Sequence, residues 1–190
     1  KAGLGRSARC QADNSSMVYR VTCSHMSFQT SIRPAESVDI ADIRRVARTT
    51  WHTVYDDILG AETVEEHLKE GYAPPLLEQM IELEEVGLFV STADDDVVAY
   101  MSCGMTDATG FGDLDIYVHP DYWGEGIGTE LLHRGEQHLH ELSVRKIRDE
   151  VLAENEVGNA FYRSHFEKVG ERTTDVGGEE HPVNVYERRL

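Results

Sequence analysis

The stretch from Asp113 to Leu132 constrains this chain more than any other. It reads as an alternating strand, a turn with Gly124, Gly126 and Gly128 at every second position, and the start of an amphipathic helix. Leu114, Ile116 and Val118 fall on one face of the strand, and Asp113, Asp115 and Tyr117 on the other. Glycines admit positive φ and let a backbone come close to a ligand. A helix start carries free N–H groups that its dipole reinforces, so this order makes a plausible pyrophosphate cradle. The plainer reading of the same glycines is a tight strand-to-helix turn with no ligand. The lack of a Gly-Lys-Ser/Thr argues against a kinase-type P-loop, and GxGxG spacing late in the chain fits a dinucleotide fingerprint poorly.

Periodicity places that stretch inside one domain spanning 28–190, preceded by a polar, aperiodic segment 1–27 read as a tail or extension. A strand at Gln29–Arg33 leads to a helix capped by Ser37 or Asp39, with Ile40, Ile43, Val46, Ala47, Trp51, Val54 and Ile58 as its apolar stripe. Helices follow at Thr63–Glu70 and Leu76–Leu83. Asp94-Asp95-Asp96 turns a hairpin between Leu88–Ser91 and Val97–Met101, and the strand Gly110–Val118 comes next. Beyond the glycine turn the pattern gives a helix Glu125–Leu142, a strand Ile147–Leu152 and a helix Asn155–His165. Short strands at Lys168–Glu171 and Val183–Glu187 flank a Gly177-Gly178 loop. The order β-αα-βββ-α-β-α-ββ predicts the α/β class, with one mixed sheet and helices packed on it.

Charge narrows the partners. Asp and Glu number 35 against 18 Lys and Arg, a formal net charge of −17. Such a surface repels nucleic acid and anionic membranes, so neither is expected as a partner. It fits a protein kept soluble in high salt, a salt-loving habitat; an acidic surface for a polycationic substrate is the sharper alternative. Cys10, Cys23 and Cys103 form no CxxC pair, which points to a reducing cytoplasm. No apolar run approaches the roughly 20 residues of a membrane span, and residues 1–26 lack the apolar centre of a signal peptide. His133, His138 and His140 share a helix without the i, i+4 spacing a helical metal site prefers, so no metal is expected.

Two segments carry a family resemblance. Val118, Pro120, Gly126 and Gly128 resemble the coenzyme A motif of the GNAT acetyltransferases, Val-x-Pro-x-x-Arg/Gln-x-x-Gly-x-Gly/Ala, with Trp123 at the position of the family's Arg or Gln. Glu150-Val151-Leu152-Ala153-Glu154-Asn155 followed by Ala160-Phe161-Tyr162 is similar to the family's next motif, a strand, an Asn and a helical Tyr. The family continues Tyr-x-x-x-Gly-Phe, whereas Tyr162 here is followed by Arg163-Ser164-His165-Phe166, one residue shorter and without the glycine.

The resemblance implies a three-layer fold, with a mostly antiparallel mixed sheet and helices on both faces. It implies that Ile116, Tyr117 and Val118 hold pantetheine through the main chain. Gly124, Glu125, Gly126, Ile127, Gly128 and Thr129 would cradle the phosphates, and Asn155 would cap its helix and contact coenzyme A. Tyr162 would protonate the leaving thiolate, as a phenol with pKa of about 10 can; a packed aromatic is the alternative. Glu150 ranks first as the base that deprotonates the amine and Asp115 second, each with a bland reading as a solvated strand position. His52 and Tyr55 lie on the helix that helps to shape the family's acceptor site. The implied activity is direct transfer of acetyl from acetyl-CoA to a primary amine, of a small molecule or a protein N-terminus. No metal and no covalent enzyme intermediate are expected, and a homodimer is admitted. The rivals are a non-catalytic acetyl-CoA-binding regulatory module and a nucleotide-binding protein.

Overall fold

The alternation of residues 86–118 builds the centre of a single sheet. In a computed structural model, which describes residues 30–106 and 110–190, this region forms β2 (Val86–Ala93), β3 (Asp96–Met105) and β4 (Phe111–Val118). β1 (Thr30–Pro34) pairs with β2, and β5 (Lys146–Leu152), β6 (Glu167–Val176) and β7 (Glu179–Arg189) complete seven strands. The order across the sheet is β1-β2-β3-β4-β5-β7-β6. Every pairing is antiparallel except β4 with β5. The expected tail at 1–27 and the domain start at Phe28 lie outside the described residues.

Helices cover both faces. On one lie α1 (Ile40–Leu59), α2 (Ala61–Gly71) and α3 (Pro74–Glu82), where Ile43, Val46, Trp51, Val64 and Leu77 pack on Leu88, Val90 and Tyr100. On the other lie α4 (Ile127–Glu141) and α5 (Glu156–His165), where Leu131, Leu132, Leu139 and Tyr162 pack on Met101, Leu114, Ile147 and Val151. Leu88 and Phe89 thus serve opposite cores, as the period of two requires.

Three local expectations change. Asp39 does not cap α1 with its side chain; the carboxylate turns back to the Glu36 N–H at 2.8 Å and grips Arg33 at 2.6 and 2.8 Å. That guanidinium holds the Asp39 carboxyl below its usual range. α4 starts at Ile127 rather than Glu125, because Gly126 is left-handed at φ 87. β6 and β7 run far beyond the short strands expected. They form a hairpin whose turn residues Gly177 and Gly178 both have positive φ, 64 and 86, the two-residue turn that matches strand twist.

Candidate active site

The cleft begins where a ladder stops. β4 and β5 pair only at Phe111 with Lys146 and Gly112 with Ile147, then diverge. A cavity of about 530 Å³ fills the opening, lined from both strands, the glycine turn, α1 and α5. The hydrogen-bond phase decides what β4 shows to it. The His119 N–H donates to Val98 O at 2.9 Å, and the Thr106 N–H to Phe111 O at 3.1 Å. Odd-numbered residues of β4 therefore exchange bonds with β3, and even-numbered ones turn their peptide groups to the gap. Two of those gap-facing carbonyls are taken, Leu114 by the Tyr162 hydroxyl at 3.2 Å and Val118 by the Trp123 indole N–H at 2.7 Å. Ile116 lies between them and presents both its N–H and its C=O to the gap. The main chain of Tyr117 is spent on Tyr100, so Tyr117 meets the cavity through its side chain. Trp123, standing where Arg or Gln was expected, ties the turn to the end of β4.

The glycines of the turn have separable reasons. Gly124 and Gly126 sit at φ 82 and 87, with open space where a Cβ would be. Conformation demands glycine there. Gly128 has ordinary φ, but a Cβ would stand 3.2 Å from the Phe161 ring, so the close approach of α5 favours glycine there. The turn delivers the start of α4 to the mouth of the cavity, where the N–H groups of Ile127 and Gly128 precede the first intrahelical bonds, while the Thr129 N–H is already given to Gly126 O at 3.0 Å. Ile127 and Thr129 line it as well, with Thr129 Oγ1 3.1 Å from His165 Nε2. Glu125 is different: it is exposed and lies outside the cavity lining, so only its main chain can serve a ligand here.

Four acidic or phenolic groups, Tyr162, Asp149, Asp115 and Glu150, line the floor from the two sides of the sheet. Tyr162 is buried, its ring 4.9 Å from that of Phe166 and 5.4 Å from that of Tyr186. Phe166 enters the core although the helix end lacks the expected glycine. The Tyr162 hydroxyl touches Leu114 O and Asp149 Oδ2. Burial, then the Asp149 charge, raises the phenol well above its usual pKa. Burial also raises Asp149, with the charge of Asp115 adding to it. Asp115 opens to cleft water but has protein on its other sides, and that desolvation, helped by the Asp113 charge, lifts it to about 6. It faces the α1 side, whereas Tyr162 stands on the α4–α5 side. Glu150 also lines the cavity, but both its oxygens are held by Arg172, Oε1 by Nε at 2.6 Å and Oε2 by Nη2.

Asn155 is buried at the start of α5, where Oδ1 accepts from the Gly158 N–H at 2.8 Å and Nδ2 donates to the Tyr55 hydroxyl at 3.0 Å. Burial moves Tyr55 up to about 12, so it is a neutral donor on the cavity wall. His52 instead bridges Asp56 and Glu65, each at 2.8 Å, and is not part of the lining. Behind Asp115, Tyr117 stacks on Tyr100 at 5.1 Å. Among the described residues no His, Cys, Asp and Glu group is placed to hold a metal ion. No helix among them is long and apolar enough to cross a membrane.

Sequence reasoning missed Asp149 and Asn159. Asp149 had a readable signal, since it shares its strand phase with the buried Ile147 and Val151, an apolar phase where a carboxylate is out of place. Asn159 had none. It donates to Leu152 O at 2.8 Å and Asn155 O at 2.7 Å, and accepts from Asn184 at 2.6 Å and Tyr186 at 2.8 Å.

A sheet prised open between two parallel strands, with a glycine-rich helix start at one mouth and acid–base groups on the floor, defines a group-transfer site for a long, anionic-headed ligand. The chain belongs to the acetyltransferase (GNAT) family, whose profile matches residues 51–166. It is similar to a spermidine N(1)-acetyltransferase of Thermoplasma acidophilum, 26% identical over 142 residues, covering 73% of this chain and 88% of that protein. The fold is that of the PaiA N-acetyltransferase of Thermoplasma acidophilum in complex with coenzyme A, with TM-score 0.73 and 23% identity, covering 85% of this chain and 99% of that one. It is also that of a ribosomal-protein-alanine N-acetyltransferase from Brucella melitensis, with TM-score 0.61 and 19% identity, covering 84% and 99%.

Proposed function

We propose that this acyltransferase moves an acetyl group from acetyl-CoA to a primary amine by direct attack. The observation that carries the reading is Ile116, whose main-chain groups face the gap between Asp115 on one side of the sheet and Tyr162 on the other. The residues fit the coenzyme. The α4 amides and left-handed glycines suit a diphosphate, and the open edge of β4 suits an amide-bearing arm. The structural neighbour crystallised with coenzyme A supports the same occupant.

Asp115 takes the proton of the incoming ammonium, and its raised pKa keeps it a usable base near neutrality. Glu150 is the poorer choice because Arg172 occupies both of its oxygens. The Ile116 N–H polarises the thioester carbonyl. Tyr162 supplies the proton as the C–S bond breaks. Tyr55 and Asn155 close the acceptor side.

Spermidine, the acceptor in the relative's name, leads the amines to be tried. A panel of polyamines, amino acids and peptide N-termini, read by release of the free coenzyme thiol, tests the reading. Amine-dependent thiol release supports it. Coenzyme A stabilising the fold in a thermal shift, with no amine raising thiol release above hydrolysis, would leave a binding module instead.

A further inference from the structure

The Tyr162 hydroxyl lies between two oxygens but has one proton. Leu114 O, at 3.2 Å, is a carbonyl and can only accept. With a single proton, Tyr162 can donate to Leu114 O or to Asp149 Oδ2 but not to both, so both contacts are hydrogen bonds only when Tyr162 donates to Leu114 O and Asp149 donates to Tyr162. The second oxygen, Oδ1, already accepts from the Glu150 N–H at 2.9 Å, so a proton on Asp149 belongs on Oδ2, facing the phenol.

We propose that Asp149 stands as a neutral carboxylic acid at neutral pH and passes its proton to Tyr162 as Tyr162 gives its own to the departing sulfur. The proposal rests on the reading of Tyr162 as the acid. In the step, the C–S bond breaks with its electron pair on sulfur. The sulfur takes the Tyr162 proton, the phenolic oxygen takes the Asp149 proton, and Asp149 is left as a carboxylate that recovers its proton from water. Asp149 is thus a positioning residue that acts through Tyr162. An ionised carboxylate in its place would hold the phenolic proton, whereas a neutral one stabilises the phenolate that forms.

The surroundings agree. Asp149 is flanked by Asp113 and Asp115 from β4, Tyr55 from α1, Tyr162 from α5 and its cross-strand neighbour Tyr186 from β7. Among the described residues no Arg or Lys forms an ion pair with it. Burial and the Asp115 charge favour its neutral form and outweigh the hydrogen bonds to Tyr162 and the Glu150 N–H, which favour the carboxylate. Asp115 and Asp149 then divide the work as base and acid, two carboxylates whose environments push their protonation apart.

Asp149→Asn separates this role from a structural one. Its amide can donate to Tyr162 and accept from the Glu150 N–H, so the geometry survives while the transferable proton is lost. The expected result is kcat down by about 10²-fold with KM little changed. The alkaline fall of wild-type kcat should disappear, and Asp149→Glu should restore part of the rate. Full kcat with the wild-type pH profile in Asp149→Asn overturns the relay. Carbon-13 NMR of the ligand-free protein, labelled at the aspartate carboxyls, reads the protonation directly. One carboxyl that stays protonated at neutral pH and is missing from Asp149→Asn is expected. If all are ionised in the wild type, the proposal fails even if the variant does not fold. This readout needs no acceptor, so a silent Tyr162→Phe would sink the acid role of Tyr162 and the relay with it, whereas a wild type with every carboxyl ionised would sink the proposal while leaving Tyr162 as the acid.

Discussion

Gly126→Asp separates the folding role of the glycine turn from its binding role. Gly126 sits at φ 87 with no atom within 4 Å of the position of a Cβ, so a side chain costs strain and no clash. For an L residue that strain is about 1–2 kcal/mol, the loss expected for the control Gly126→Ala. An aspartate at the start of α4 recovers about 0.3–1 kcal/mol from the helix dipole. Gly126→Asp should therefore melt at or slightly above Gly126→Ala. Binding should rank the other way. A carboxylate roughly 5 Å from a phosphate charge costs about 1–3 kcal/mol for effective dielectric constants between bulk water and a protein surface. That corresponds to an affinity for coenzyme A roughly 5- to 150-fold weaker than that of Gly126→Ala. Calorimetric titration with coenzyme A at low salt measures it. Raising salt from 0.1 M to 1 M shortens the Debye length from about 10 Å to about 3 Å and should close most of the gap between the variants. Equal affinity of the two folded variants at low salt would refute the phosphate cradle.

Tyr162→Phe keeps the ring contacts with Phe166 and Tyr186 and removes the hydroxyl. It should bind coenzyme A normally and lose about 10²–10³-fold in kcat in steady-state assays where chemistry limits the rate. For Asp115, a base lifted to about 6, wild-type kcat/KM should rise with pH through that value, below the alkaline fall that loss of the Asp149 proton brings. Asp115→Asn should abolish that limb. Its raised folded-state pKa also means that stability is lost as pH climbs from about 4 to about 6, so at neutral pH Asp115→Asn should melt no lower than wild type by calorimetry. The net charge of −17 predicts a melting temperature that rises from 0.1 M to 1 M KCl as self-repulsion is screened; a flat or falling value would count against that.

The elements that bury an apolar stripe were legible, because periods of two and 3.6 are written by core contacts. β4 and the first half of α1 are examples, from Ile40 to Trp51; towards the end of α1 Tyr55 and Leu59 pack on the core in place of the expected Val54 and Ile58. β6 was underread because it is an edge strand, exposed along nearly all its length, and writes no alternation. The turn was legible through its glycine spacing, and Tyr162 was singled out through the family resemblance; the structure places both at the cavity. The ion pair that ties up Glu150 was not legible. Arg172 is 22 residues from Glu150 in sequence and reaches it only through the β5–β7–β6 arrangement. Nor could spacing show that Tyr162 bonds Leu114 O, 48 residues away, across the opened β4–β5 ladder.

Direct transfer in the gap beside Ile116 is the central claim, and mass spectrometry of a single turnover tests it. Protein in excess over carbon-13 acetyl-CoA is mixed with the best amine of the panel and quenched at intervals. The label should pass to the amine as free coenzyme appears, with the protein mass constant throughout. A transient protein species heavier by one acetyl group, formed and discharged at the turnover rate, would contradict direct attack.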